Sequence, residues 1–266
     1  MTKQPPPAAG PRCLGCRDGE AFTLPFSMAY QPIVDIEQGI PFAYEALVRG
    51  PAGETAASIL GQVTEASRYA FDQQCRVKAI EAAVNAGILD TPARLSINFL
   101  PNAVYSAAAC IQLTLRTARA NAFPTGRLIF EFTENEKMAD PDHVGRIIAT
   151  YQQMGFGTAI DDFGAGHAGL NLLARFQTDM VKIDMELIRG LDASLPRRMI
   201  VNGVVRMCEA LGVTVIAEGI ETEGELDALR AIGVRYIQGY YFAKPAFERL
   251  PPFTFDVQRS QRCISG

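Results

Sequence analysis

Phe156-Gly-Thr-Ala-Ile-Asp161-Asp162-Phe163-Gly-Ala-Gly-His167, followed one helix later by Asp179-Met-Val-Lys182-Ile-Asp184, is the stretch on which the reading of this chain turns. A short apolar run ends in two adjacent carboxylates and turns through glycines. A second apolar run then delivers a lysine and another aspartate. Adjacent carboxylates repel unless positive charge sits beside them, so such a pair at a strand end points to a divalent cation. Asp161 or Asp162 could equally cap a helix near residues 168–174, and this stretch alone does not choose between the two.

Five more apolar runs end in a residue able to bind a metal or a phosphate. They are Phe42-Ala-Tyr-Glu45, Leu95-Ser-Ile-Asn98, Leu128-Ile-Phe-Glu131, Val213-Thr-Val-Ile-Ala-Glu218 and Val234-Arg-Tyr-Ile-Gln238. Repeated this often, the pattern reads as one shared site at the carboxyl ends of parallel strands rather than as a set of helix caps.

The rest of the chain supplies the alternation that such a sheet needs. Strands are predicted at 28–34 and 40–47, joined by Glu37-Gln38-Gly39, a turn too short for a crossover helix, so these two should be antiparallel. Helical sequence at 55–86 stops at Gly87, and a strand at 94–98, a helix at 106–121 and a strand at 127–132 follow. The next helix runs from Asp140-Pro141 to Gly155 with Val144, Ile147, Ile148 and Tyr151 inward and His143 toward water. Beyond the strand at 157–161 come a short helix at 168–174 and a strand at 179–183. A helix at 195–211 carries the stripe Ile200, Val204, Cys208 and Leu211, and a strand at 213–217 follows. The Thr222–Glu225 capping box opens a helix burying Leu226, Leu229 and Ile232, before a last strand at 234–237. Eight strands in 266 residues predict an α/β fold, a modified TIM-type (β/α)8 barrel with an antiparallel first strand. The alternative, an open doubly wound sheet, would normally show a glycine-rich phosphate loop after an early strand, and the sequence has none.

Composition narrows the function. At 48% hydrophobic residues the chain can bury a large core, and one domain at 26–250 is expected between tails at 1–25, which contains Pro5-Pro6-Pro7, and 251–266. The net charge of −4 with no long basic run argues against nucleic-acid binding. No apolar run reaches the roughly 18 residues of a membrane span, and the amino terminus lacks a signal-peptide core, so a cytoplasmic protein is expected. Its six cysteines should then stay reduced. Cys13 and Cys16 have zinc-knuckle spacing but no second pair, and two histidines in the whole chain leave little for a histidine-based site.

Glu45, Asn98, Glu131, Asp161, Asp162 and Glu218 are all hard oxygen ligands, a set that suits Mg2+ or Mn2+. Two ions are expected, since five carboxylates would overcompensate one, and paired ions are the usual device for displacement at phosphorus. Lys182, with its ammonium form disfavoured beside cations, could steady or deprotonate the attacking water; the plainer reading is a salt bridge to Asp161 or Asp184. Arg49, four residues past Glu45, could reach a phosphate oxygen. The residues thus describe a metal-dependent phosphoester hydrolase.

Tyr30-Gln31-Pro32-Ile33, Glu45-Ala46-Leu47-Val48-Arg49, Ile97-Asn98, Glu131-Phe-Thr-Glu134, Asp161-Asp162-Phe163-Gly164, Lys182-Ile183-Asp184, Ala217-Glu218-Gly219-Ile220-Glu221 and Gln238-Gly239-Tyr240, in this order, closely resemble the EAL family over about residues 26–248. The resemblance implies a bacterial phosphodiesterase that opens cyclic diguanylate to linear pGpG with two Mg2+ or Mn2+ ions. By matching motifs, Glu45, Asn98, Glu131 and Asp161 would hold one ion and Asp161, Asp162 and Glu218 the other. Lys182, with Glu45 and Glu218, would carry the catalytic step. Gln31, Arg49, Asp184 and Gln238 would meet the substrate, Glu134 would anchor the loop after the aspartate pair, and Glu221 would support the site from behind. It also implies a homodimer formed around that loop. Where active members often carry Thr-Gly-Tyr-Ser-Ser, this chain has Ala165-Gly166-His167-Ala168-Gly169, and Phe99-Leu100-Pro101 replaces a common serine after Asn98. These departures resemble the EAL domains found with blue-light sensors, some of which are inactive. A receptor for cyclic diguanylate or for a regulatory protein partner is therefore the second reading.

Overall fold

A computed structural model of the chain describes residues 20–133, 140–166, 169–253 and 255. Glu134, His167 and the Cys13/Cys16 segment lie outside the described residues.

Strands β1 (Ser27–Asp35) and β2 (Ile40–Arg49) form an antiparallel hairpin. Helices α1 (Ala56–Leu60) and α2 (Arg68–Asn85) lead to β3 (Arg94–Asn98), and α3 (Ala107–Cys110) and α4 (Gln112–Ala120) to β4 (Leu128–Thr133). Then follow α5 (Pro141–Gln153), β5 (Gly157–Phe163), α6 (Gly169–Arg175), β6 (Met180–Ile183), α7 (Met185–Ile188), α8 (Leu195–Leu211), β7 (Thr214–Ala217), α9 (Glu223–Ile232) and β8 (Tyr236–Gln238). β2 to β8 pair in parallel succession, and β1 closes the ring by running antiparallel to both β2 and β8. The barrel and its reversed first strand are as the sequence predicts. A ninth strand, β9 (Ala246–Phe247), pairs with Ala29 and Tyr30 of β1 beyond the reach of β8, and two residues are too short for any sequence period to reveal.

The barrel interior explains where polar side chains can go. Ile33, Ala43, Ile129, Ala159, Met180 and Ile216 form one buried cluster drawn from six strands. Side chains on a strand alternate with period 2, so the next inward layer toward the carboxyl ends is Glu45, Glu131, Asp161, Lys182 and Glu218. On the reversed β1 it is Gln31, and Asn98 and Gln238 end β3 and β8. An apolar floor thus carries a polar ring one residue pair above it. Two larger clusters pack the strands against the helices.

Four local expectations need correction. In α8 the buried stripe is Val201, Val205 and Cys208; Ile200 is 52% exposed and Leu211 is also exposed. Apolar pairs 200/201 and 204/205 allow either face, and a 100° rotation per residue separates them. His143 does not face water: it is half-buried and its ring Nε2 meets the Val104 carbonyl oxygen. The helix expected at 106–121 is two, α3 and α4. Ile232 is half-buried rather than buried. The capping box on α9 and the Asp140 cap of α5 form as expected. Phe253 and Phe255 pack on Phe242. No helix among the described residues is long and apolar enough to cross a membrane.

Candidate active site

Glu45 ends the inward run of β2, Asn98 ends β3, Glu131 lies in β4, Asp161 and Asp162 in β5, and Lys182 in β6. Glu218 directly follows β7. Successive residues of a regular strand face opposite ways, yet Asp161 and Asp162 both line the same cleft. A register break between Ile160 and Phe163 and a left-handed φ of 54° at Asp162 make this possible, a conformation that aspartate tolerates better than most side chains.

Oxygens of Glu45, Glu131 and Asp161 lie within 4.8 Å of one another, as do those of Asp161, Asp162 and Glu218. The two triads share Asp161. Lys182 sits among them, with Nζ 2.6 Å from Glu218, 2.9 Å from Glu131, 3.0 Å from Asp161 and 3.3 Å from Glu45. It forms the expected ion pair with Asp161, but Asp184 is instead the cap of α7, accepting from the Glu186 amide at 2.8 Å. Asn98 Nδ2 donates to Glu45 at 2.9 Å and Gln238 Nε2 to the other Glu45 oxygen at 2.8 Å. Ser96, one inward step below Asn98, donates to Glu131.

One ammonium does not offset this much negative charge. Burial and then Asp161 and Asp184 push Asp162 up to about 6. Burial, opposed by Lys182 but reinforced by Glu45 and Asp161, lifts Glu131 to about 8. Burial and Asp161 raise Glu218 far above the carboxylate range, and Asp161 is raised too, chiefly by burial. Glu45 goes the other way: burial opposes its charge, but Lys182, Gln238 and Asn98 hold its carboxyl low. Burial also disfavours the Lys182 ammonium, and the surrounding carboxylates overturn that and raise it strongly. Only cations among the carboxylates would reverse the balance, which is the condition behind the lysine expected from sequence.

The donor set fits divalent cations: all-oxygen, anionic, arranged as two triads with one bridging carboxylate, and underneutralised without them. Because ligating carboxylates must shed their protons, Mn2+ binding should release protons at neutral pH and tighten as pH rises through about 6 to 8. Calorimetric titration in buffers of different ionisation heat checks this; pH-independent affinity across that window would contradict it.

The cleft above the triads holds about 390 Å³ and is lined by Gln31, Glu45, Asn98, Asp161, Asp162, Asp184, Glu218, Glu221 and Gln238 among others. Glu221 stands at the rim, paired to Arg189 at 2.5 Å. Arg49 is not among the lining residues; its Nη1 donates to the Val48 carbonyl oxygen at 2.7 Å. Arg189 and Tyr240 line the cleft without having been assigned a role from sequence. Arg189 follows α7, a four-residue helix with no periodicity to read, whereas Ser96 was accessible from the two-residue step below Asn98. Gly239 is dictated by contact, since a Cβ there would fall 2.1 Å from the Ile220 carbonyl oxygen.

An α/β barrel with a carboxylate-lined mouth and a reversed first strand defines the class, and the chain belongs to the EAL domain family, which it matches over residues 23–245. It is similar to a standalone EAL protein of Vibrio cholerae O395 in its c-di-GMP-bound form, with 47% identity, a TM-score of 0.85, and coverage of 90% of this chain and 99% of that one. It also resembles Klebsiella pneumoniae BlrP1 in a manganese and cyclic di-GMP complex, at 34% identity and TM-score 0.78, covering 84% of this chain and 57% of that one. The blue light- and temperature-regulated antirepressor BluF of Escherichia coli K12 is 33% identical over 237 residues, 89% of this chain and 58% of BluF. A cyclic di-GMP phosphodiesterase of Pseudomonas aeruginosa and a probable one of E. coli, each 28% identical, belong to the same set. The chain spans 58% of the length of BluF and 38% of that of the Pseudomonas enzyme.

Proposed function

We propose that this chain is a metal-dependent phosphodiesterase that opens cyclic diguanylate to linear pGpG. The observation that supports it most is the double carboxylate triad sharing Asp161 at the floor of an open cleft, with no expected ligand replaced. Two Mg2+ or Mn2+ ions held there, by Glu45, Asn98, Glu131 and Asp161 and by Asp161, Asp162 and Glu218, would generate hydroxide from water and neutralise charge at phosphorus. Lys182 Nζ would hold and orient the attacking water between the triads. Water adds its oxygen to phosphorus, the bond to one ribose 3′ oxygen breaks, and the proton passes to that oxygen. Gln31, Gln238 and Asp184 offer amides and a carboxylate to the nucleotide, and Glu221 steadies Arg189 at the rim. Arg49 would need its side chain redirected from Val48 to meet a phosphate.

The second reading, a non-catalytic receptor or protein-binding domain, draws on the likeness to an antirepressor. Ligand loss is what would favour it, and the described ligands are intact. A cytoplasmic location belongs to the proposal.

A homodimer is also proposed. Leu170 on α6 is 64% exposed, and Leu195 and Met199 on α8 are each 62% exposed, beside Ile200. These helices follow neighbouring strands β5 and β6, so a second copy covering them would bury apolar surface next to the Asp161-Asp162 turn. Ile200→Glu is expected to convert dimer to monomer in sedimentation velocity with little loss of thermal stability; a wild-type monomer at micromolar concentration would contradict the dimer.

A further inference from the structure

Asp72 and Arg76 on α2 form an ion pair of 2.7 Å in which both side chains are essentially inaccessible to water. Arg76 is packed among the rings of Phe99, Phe130 and Tyr151, its charge 5.5, 5.4 and 6.0 Å from their centres, and Nη1 donates to the Tyr151 hydroxyl at 2.9 Å. A buried pair of this kind is usually no more stabilising than apolar side chains of the same size, so stability alone does not account for it.

Its other contact suggests a different use. The β3–β4 ladder ends at Asn98 paired with Glu131, and the Phe99 amide makes the last bond, 2.8 Å to the Glu131 carbonyl oxygen. The next amide, that of Leu100, bonds to a side chain rather than to a strand. Asp72 Oδ1 accepts it at 2.9 Å, and Pro101, which has no amide proton, begins the following turn. Asn98 is therefore held on its amino side by the sheet and on its carboxyl side by Asp72. Its amide in turn fixes Glu45. Arg76 holds the Asp72 carboxylate in place through the 2.7 Å ion pair, and its guanidinium offsets part of the burial that raises the Asp72 carboxyl.

We propose that Asp72 and Arg76 are positioning residues that set the Asn98–Glu45 corner of the first cation site. The proposal rests on the metal-binding reading given above. Asp72→Leu with Arg76→Met together replace both charges by apolar groups, leave no unpaired ion, and remove the anchor on Leu100. Mn2+ titration by calorimetry, with wild type and Asn98→Ala alongside, reads the result. Loss of an outer partner of a metal ligand commonly lowers affinity 10- to 100-fold, so the paired variant should bind Mn2+ about tenfold more weakly while remaining folded. Adding Asn98→Ala to it should cost little more than Asn98→Ala alone. A folded paired variant with wild-type Mn2+ affinity overturns the proposal, as does a full additional loss on adding Asn98→Ala. Should the paired variant fail to fold, Asp72→Asn and Asp72→Ala decide, because both leave Arg76 unpaired but only the former keeps an acceptor for the Leu100 amide. Asp72→Asn should stay within about threefold of wild type while Asp72→Ala falls about tenfold, and equal affinities overturn the proposal. Failure of wild type itself to bind Mn2+ would instead remove the metal-binding reading, so the two failures are distinct.

Discussion

Lys182→Met is expected to lower the thermal stability of the cation-free protein, to do so most at high pH, and to cripple turnover. The ammonium contacts four carboxylates, and no other lysine or arginine among the described residues pairs with them. Removing one partner from a buried ionic cluster costs about 3–5 kcal/mol. For a chain of this size that corresponds to a fall in Tm of roughly 6–20 °C. The sign of the pH effect follows from the raised carboxyls. Glu131, Glu218 and Asp161 hold protons more tightly folded than unfolded, so the folded state binds more protons and stability declines as pH rises toward and through about 8. Without Lys182 that decline steepens, while near pH 5 protonation relieves much of the crowding. Mn2+ should restore more Tm in the variant than in wild type. Turnover at saturating metal should drop about 10²- to 10⁴-fold, the usual range for a group acting on the proton of the nucleophile. Calorimetric melting at pH 5.5 and 8.5 together with hydrolysis assays checks both parts; equal melting losses at the two pH values would contradict the electrostatic account.

Asp161→Asn is expected to separate activity from stability in opposite directions. Asp161 is the one carboxylate common to both triads, so a single substitution weakens both cation sites. Paired ions supply several kcal/mol of transition-state stabilisation, and at about 1.4 kcal/mol per tenfold the loss should be on the order of 10³-fold or more in turnover. The raised Asp161 carboxyl means that its charge is unwelcome in the folded, cation-free chain at neutral pH. A neutral amide of the same shape should therefore leave Tm unchanged or higher, the usual exchange between function and stability. A variant that melts well below wild type while retaining turnover would reverse both expectations.

Most of this site was legible because strand geometry converts sequence spacing into position. Glu45, Glu131, Asp161 and Glu218 each stand two residues beyond a residue of the barrel floor, Ala43, Ile129, Ala159 and Ile216, so alternation alone brings them to one layer. What alternation cannot give is the bulge that turns Asp162 toward the same mouth as Asp161, since regular pleating would have separated them. Nor could it show that Arg49 turns back to the Val48 carbonyl oxygen, or that Arg189 reaches the rim from a helix of four residues. In α8 the adjacent apolar pairs 200/201 and 204/205 fit either face, and packing of Val201 and Val205 in a cluster with residues from β6, β7, α7 and α9, absent from the helix sequence, makes the choice. Asp72 and Arg76 look like an ordinary i,i+4 surface pair in sequence; only the Leu100 amide and the three rings around Arg76 reveal the buried network.

The most direct test is hydrolysis of cyclic diguanylate by the purified chain with Mg2+ or Mn2+, beside Glu45→Ala and an EDTA control. Metal-dependent formation of pGpG that is absent with EDTA and lost in Glu45→Ala is the result expected. Measurable binding of cyclic diguanylate with no pGpG at any metal concentration would contradict the catalytic reading and place the protein among the receptors.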